Sequence, residues 1–258
     1  MQPVQINVSG QRTGDVLSNM GTDDRYLKLL CWNIQSLSQD VVADEYFNKC
    51  LNENDIIVLT ETWLANHIDV LSNDFYNYHY LRPMHARARR PSEGISILIR
   101  HNIRGTNERK SVTIIKESDC FIWFKLDKYL FNSSSDIFIC ATYIPPEKSS
   151  FWNLNKYDPF DQLEQDLITF QNRGNVILIG DFNARTSNRS DYVTDLLGIE
   201  STEEFVRNSS TSILDEIGTK NINNNDTIVN PYGNKLLSLC KGLSLRIGRT
   251  LGDTSVRP

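Results

Sequence analysis

Long apolar runs are missing from this 258-residue chain. The longest are short stretches such as Ile56-Ile57-Val58-Leu59, far below the roughly 20 residues with which a helix crosses a bilayer. The first twenty residues hold no apolar block of the kind a secretory signal needs. Glycine (13) and proline (8) are too few for a collagen-like chain, and 40% hydrophobic with 23% charged residues excludes a disordered tail. Cysteine is sparse: Cys31, Cys50, Cys120, Cys140 and Cys240 are odd in number with no close pair. That excludes a C-x-x-C zinc or redox motif and argues against a disulfide framework, so buried free thiols in a reducing compartment are expected. A surplus of positive charge is absent too. With 32 acidic against 27 basic residues, the net charge of −5 excludes a coat over nucleic acid but not a local basic patch. A soluble, intracellular chain with no membrane segment is expected, long enough for one large domain or two small ones.

Residues 1–25 are polar, lack periodicity and contain Gly10, Gly14 and Gly21, which predicts a flexible leader. From Tyr26 the pattern turns apolar. Strands are predicted over 26–32, 55–60, 75–81, 94–100, 111–116, 120–126, 137–143 and 175–180, with a short one near Leu245. Helical spacing is carried by Val42, Phe47, Cys50 and Leu51, by Phe160, Leu163, Leu167 and Phe170 behind an Asp158-Pro159 start, and by Leu236, Leu237, Cys240 and Leu243. Residues 184–230 are rich in Asn, Ser, Thr and Asp and read as a loop-dominated insertion. No boundary is visible after residue 25, so 26–258 is expected to be one domain. Several strands follow one another without a helix between them. That speaks against a doubly wound sheet and for an α+β class of layered sheets with helices outside.

Four apolar runs end in a polar residue able to handle a metal or a phosphate. They are Leu29–Trp32 before Asn33, Ile57–Thr60 before Glu61, Ile139–Thr142 before Tyr143, and Val176–Gly180 before Asp181 and Asn183. Sites at strand ends have rigid support below and loops above. Carboxylates such as Glu61 and Asp181 are hard donors that suit Mg²⁺, which takes one or two carboxylates and keeps its waters. The Asn33 and Asn183 amides and the Tyr143 hydroxyl can donate to phosphate oxygens.

Cys31-Trp32-Asn33-Ile34, Leu59-Thr60-Glu61-Thr62-Trp63, Thr142-Tyr143-Ile144-Pro145-Pro146 and Gly180-Asp181-Phe182-Asn183-Ala184 resemble, in order, the motifs of the endonuclease/exonuclease/phosphatase superfamily. The resemblance covers roughly residues 26–258. The Thr60-Glu61-Thr62-Trp63 form and Gly248-Arg249-Thr250-Leu251-Gly252-Asp253 look most like the endonuclease domain of non-LTR (LINE-type) retrotransposons. It implies a four-layered α/β sandwich, two mainly antiparallel sheets face to face with helices outside. It also implies a Mg²⁺-dependent phosphodiesterase that nicks DNA as a monomer, with Mn²⁺ able to replace Mg²⁺, working in the nucleus if the DNA is genomic. Glu61 would be the principal metal ligand with Asn33 beside the ion. Asp181 would orient or deprotonate the attacking water, Asn183 would hold the scissile phosphate, and Tyr143 would lie against it.

The superfamily pattern closes with an Asp on a late strand and a Ser-Asp-His motif, and neither is found before Pro258. The last strands are therefore expected to be missing and the chain to be an impaired or inactive nuclease. Ser118-Asp119-Cys120 has Cys in place of His and precedes the third motif, and His67, His79, His85 and His101 read as surface residues. The arginines Arg82, Arg87, Arg89 and Arg90 are candidate contacts to DNA phosphates. Trp63 and Trp152 are candidates for stacking on a base, with packing in the core the more ordinary role. Two other functions fit the same residues: a phosphoesterase of the same superfamily acting on a lipid or inositol phosphate, and a catalytically dead retrotransposon remnant.

Overall fold

The computed structural model describes residues 4–9, 26–65, 73–82, 93–104, 111–130, 133–191 and 227–247. They divide between two compact units, residues 1–183 and 184–258, where the sequence shows no boundary. The first unit holds the strands β1 (Val4–Ser9), β2 (Tyr26–Asn33), β3 (Ile56–Thr60), β4 (Phe75–Tyr80), β5 (Ile95–Arg100), β6 (Val112–Glu117), β7 (Phe121–Leu126), β8 (Asp136–Tyr143) and β9 (Gly174–Asp181). Its helices are α1 (Gln39–Ala43), α2 (Glu45–Asn52), α3 (His101–Arg104), α4 (Phe151–Leu154) and α5 (Pro159–Gln171). The second unit holds α6 (Pro231–Gly242) and a lone bridge between Thr186 and Val229.

The strands form a five-stranded sheet, β1-β2-β3-β5-β4, and a four-stranded sheet, β6-β7-β8-β9. Pairing is antiparallel except for one parallel pair in each sheet, β2 with β3 and β8 with β9. Both parallel pairs are joined by helices, since parallel neighbours need a crossover of a dozen or more residues. In the first sheet Leu30, Ile57, Leu59 and Leu98 pack against Phe47, Cys50 and Leu51 of α2. In the second, Trp123 and Phe138 meet Phe170 of α5, with ring centroids 4.5 and 5.2 Å apart. Side chains alternate along a strand, so Leu29, Cys31, Ile56, Val58, Ile97, Ile139 and Ala141, all buried, face the interior between the sheets. There β2 and β3 lie against β8 and β9. The layers run helix, sheet, sheet, helix: the α+β sandwich expected.

Local signals explain the helices. The Asp158 carboxylate accepts from the Phe160 N–H at 3.0 Å, Pro159 opens α5, and Phe160, Leu163, Leu167 and Phe170 make its buried face. The helix expected around Val42 to Leu51 is instead two, because the Asp44 side chain accepts from the Phe47 N–H at 2.8 Å and starts a new helix. All five cysteines are free and buried.

Other expectations are corrected. The stretch read as a leader contains β1, which pairs antiparallel with β2 from Val4↔Cys31 to Ser9↔Tyr26. Leu245 is not in a strand; its N–H donates to the Cys240 carbonyl at 2.9 Å, closing α6. His79 is not a surface residue but buried, its Nδ1 2.7 Å from Ser96 Oγ. His67 and His85 lie outside the described residues, as do residues 248–258.

Gly180 shows how tightly the second sheet is built beneath the functional end. Its φ is +150°, and a Cβ there would lie 2.0 Å from the Thr142 carbonyl oxygen. Gly180→Ala is expected to lower unfolding free energy by about 3 kcal/mol or more through overlap and backbone strain. Urea unfolding followed by circular dichroism measures it; an unchanged midpoint contradicts this packing.

Candidate active site

The two parallel pairs end on the same side of the sandwich, and their carboxyl ends carry the polar residues. Tyr143 and Asp181 are register partners in β8 and β9, so their side chains share a face. Asn33 pairs with Thr60 and lies on the interior face of the first sheet. Glu61 follows Thr60, and plain alternation would send it to the helix side. Its left-handed backbone, φ +54°, brings it round instead. The turn is held by a ladder in which Ile34, Ser36 and Leu37 donate to the carbonyls of Thr60, Glu61 and Thr62 at 3.0, 2.8 and 2.9 Å. Such a conformation costs a non-glycine residue on the order of 1 kcal/mol or more and persists where the surroundings enforce it.

A continuous hydrogen-bond network results. Asn33 Nδ2 donates to Glu61 Oε1 at 2.8 Å and to Asp181 Oδ2 at 2.9 Å, bridging the sheets. The Tyr143 hydroxyl donates to the same Glu61 Oε1 at 3.1 Å. The Asn183 N–H donates to Asp181 Oδ1 at 2.9 Å, and its amide Nδ2 to the Ile144 carbonyl at 2.8 Å, with a left-handed φ of +48°. The five residues named from the sequence therefore meet. Burial first, then the Glu61 charge, raises the Tyr143 phenol well above its ordinary range, so this hydroxyl stays protonated and donates. Beneath them burial, reinforced by Asp181, pushes the Cys31 thiol up to about 12, which makes it packing material and no nucleophile.

The basic segment divides. Arg82 is 7% exposed and does not face solvent. It donates to Glu93, to the Asp119 carbonyl through Nε at 2.7 Å, and to the Tyr143 carbonyl at 3.1 Å. A phosphate contact from this side chain is thereby corrected to an internal one; Arg87, Arg89 and Arg90 lie outside the described residues. Trp63 is half-buried with φ +53°, and Trp152 is half-buried with Nε1 donating to the Pro146 carbonyl at 3.1 Å. Glu93 and its partnership with Arg82 escaped the sequence reading, because nothing local distinguishes that carboxylate from an exposed one.

The donors suit a hard cation. Among the described residues no three or more His, Cys, Asp and Glu side chains form a ready metal cluster, and no basic side chain pairs with Glu61 or Asp181. The pair of carboxylates around one amide, with Asn33 Oδ1 buried and lacking a hydrogen-bond partner, offers oxygen alone. That matches Mg²⁺, which is held by one or two carboxylates and keeps several waters. Glu61 and Asn33 would hold it, Asp181 standing beside.

The family model described as Endonuclease/Exonuclease/phosphatase family matches residues 30–211, well over half of the chain. The chain belongs to the endonuclease/exonuclease/phosphatase family. Members of this family are hydrolases acting on phosphodiester bonds and generally depend on a divalent metal. A comparison with curated proteins gives no match. Similar solved structures include the human nocturnin catalytic domain with bound sulfate, at 15% identity and a TM-score of 0.44, covering 62% of this chain and 65% of that one. The Xenopus laevis APE2 catalytic domain is 16% identical with a TM-score of 0.42, covering 62% and 59%. An AP endonuclease from Archaeoglobus fulgidus is 16% identical with a TM-score of 0.39, covering 64% and 62%. The chain spans less than two thirds of the length of each. No helix among the described residues is long and apolar enough to cross a membrane.

Asn33→Asp tests the cation site of this family member without an activity assay. It replaces the shared donor by a third carboxyl group, so that like charges crowd together where one amide bridged two acids. The variant should therefore melt lower than the wild type at neutral pH. Millimolar Mg²⁺ should restore its melting temperature by more than it raises that of the wild type. A loss that Mg²⁺ does not relieve contradicts this reading of the carboxylates.

Proposed function

We propose that this chain is a Mg²⁺-dependent phosphodiesterase that nicks DNA, of the kind found in non-LTR retrotransposons. The observation that carries it is the network joining Asn33, Glu61 and Tyr143 to Asp181 and Asn183 across the two sheets. Bound Mg²⁺ would supply positive charge to the non-bridging oxygens of the scissile phosphate. Asp181, with one oxygen fixed by the Asn33 amide and the other by the Asn183 N–H, orients the attacking water and takes its proton. Asn183 holds the phosphate, and Tyr143, which remains protonated, would turn its one hydroxyl hydrogen from Glu61 toward the charge that develops there, once Glu61 is engaged by the cation. DNA is favoured as substrate by the Thr60-Glu61-Thr62-Trp63 motif and by Arg87, Arg89 and Arg90 in sequence. Genomic DNA as substrate places the activity in the nucleus.

Plasmid nicking under enzyme excess, where slow turnover is still read, provides the test. Wild type should nick with Mg²⁺ and stop with EDTA. Glu61→Gln should lower the rate by at least about 10²-fold with an unchanged circular dichroism spectrum. Wild-type rates from that variant refute the assignment of Glu61. Phosphate release from an inositol or lipid phosphate, without nicking, moves the substrate to that class.

A further inference from the structure

We infer that Arg82 is a positioning residue that clamps Tyr143 and the Glu61 turn together. The inference rests on the function proposed above. Arg82 follows β4 in the first sheet, yet its guanidinium reaches the second. Its Nε donates to the Asp119 carbonyl at 2.7 Å and its Nη2 to the Tyr143 carbonyl at 3.1 Å. Its charge lies 5.2 Å from the centre of the Tyr143 ring and 4.5 Å from that of Phe151. Nη1 pairs with the Glu93 carboxylate, the two side chains being 3% and 14% exposed.

Glu93 leads back to the other half of the site. Its carbonyl accepts the Trp63 N–H at 2.8 Å, and Glu61, Trp63 and Glu93 all have left-handed backbones with φ of +54°, +53° and +67°. One guanidinium thus braces both ends of the 3.1 Å bond from the Tyr143 hydroxyl to Glu61 Oε1. A planar fork with five donors does this at once; an ammonium keeps the charge but cannot span the same acceptors. Arg82 touches no substrate in this arrangement. Its effect passes through the contact between Tyr143 and Glu61, which Tyr143→Phe removes.

Arg82→Lys keeps the positive charge and tests this. In single-turnover nicking the rate constant is expected to fall about 10- to 100-fold, the scale of a small misplacement at a reacting centre. Half-saturation and its salt dependence should stay as in wild type, whereas a lost phosphate contact would shallow the salt slope. In a Tyr143→Phe background the same substitution should cost less than about 3-fold, because residues acting through one another are not additive. Equal losses in both backgrounds, or a changed salt slope, overturn the inference. The second readout needs no activity: with ¹³C-labelled tyrosine, the Tyr143 ring resonance, assigned by its loss in Tyr143→Phe, should shift in Arg82→Lys while that of exposed Tyr129 does not. An unmoved Tyr143 resonance also overturns the clamp. Absence of Glu61-dependent nicking by the wild type refutes the proposed function and leaves the resonance test of the clamp standing.

Discussion

Two carboxylates held in a half-dry cleft repel each other unless something with positive character stands between them. In this chain a neutral amide does so: both hydrogens of Asn33 Nδ2 are spent on Glu61 and Asp181. The arrangement fixes the amide's orientation, because the oxygen would repel either acid. It also leaves the Asn33 carbonyl oxygen buried without a partner, a desolvation cost on the order of 1–3 kcal/mol. With the left-handed turns at Glu61 and Asn183, the site is a costly end of an otherwise apolar sandwich. The interior strands, with side chains such as Ile56, Val58, Ile97 and Ile139 fully buried, supply the stability that holds it.

Where the network lies follows from topology. An antiparallel pair puts its carboxyl ends at opposite edges of a sheet; a parallel pair puts them together. Each sheet has one parallel pair, and the two pairs face each other. Four carboxyl ends thereby converge, bringing Asn33, Glu61, Tyr143 and Asp181 together from positions up to 148 residues apart. The antiparallel strands outside them complete the sheets and contribute none of the five residues. The chain has to cross over within each parallel pair, and the longer crossover helices, α2 and α5, cover the outer faces.

Much of this was legible in the sequence, for identifiable reasons. Continuous apolar runs such as Ile56–Leu59 mark strands covered on both faces, and Asp158-Pro159 marks a helix start. Four such runs ending in polar residues pointed to the site. Alternation alone, however, assigns Glu61 to the wrong face, since a left-handed residue in a Thr-Glu-Thr sequence carries no local signature. Pairing over long separations was equally hidden. The polar segment before Gly10 forms β1 because the edge of β2 offers it backbone partners, and β-structure decided by an available edge cannot be read from side-chain pattern. His79 and Ser96 look like solvent-facing strand residues until their register pairing shows that they satisfy each other.

Arg82 shows why counting charges along a segment misplaces them in space. Four arginines in nine residues look like one basic patch, but the first of them stands two residues beyond Tyr80, the last residue of β4, and is drawn between the sheets. There its charge is cancelled by Glu93 and shielded by the Tyr143 and Phe151 rings. A compensated, buried cation contributes little field outside the protein, so it cannot attract a polyanion. In a chain with a net charge of −5, attraction of any polyanion would need basic side chains left solvated and uncompensated. What Arg82 provides is geometric: it ties the phenol-bearing strand of one sheet to the carboxylate-bearing turn of the other, at the point where the Asn33 amide bridges the same two sheets.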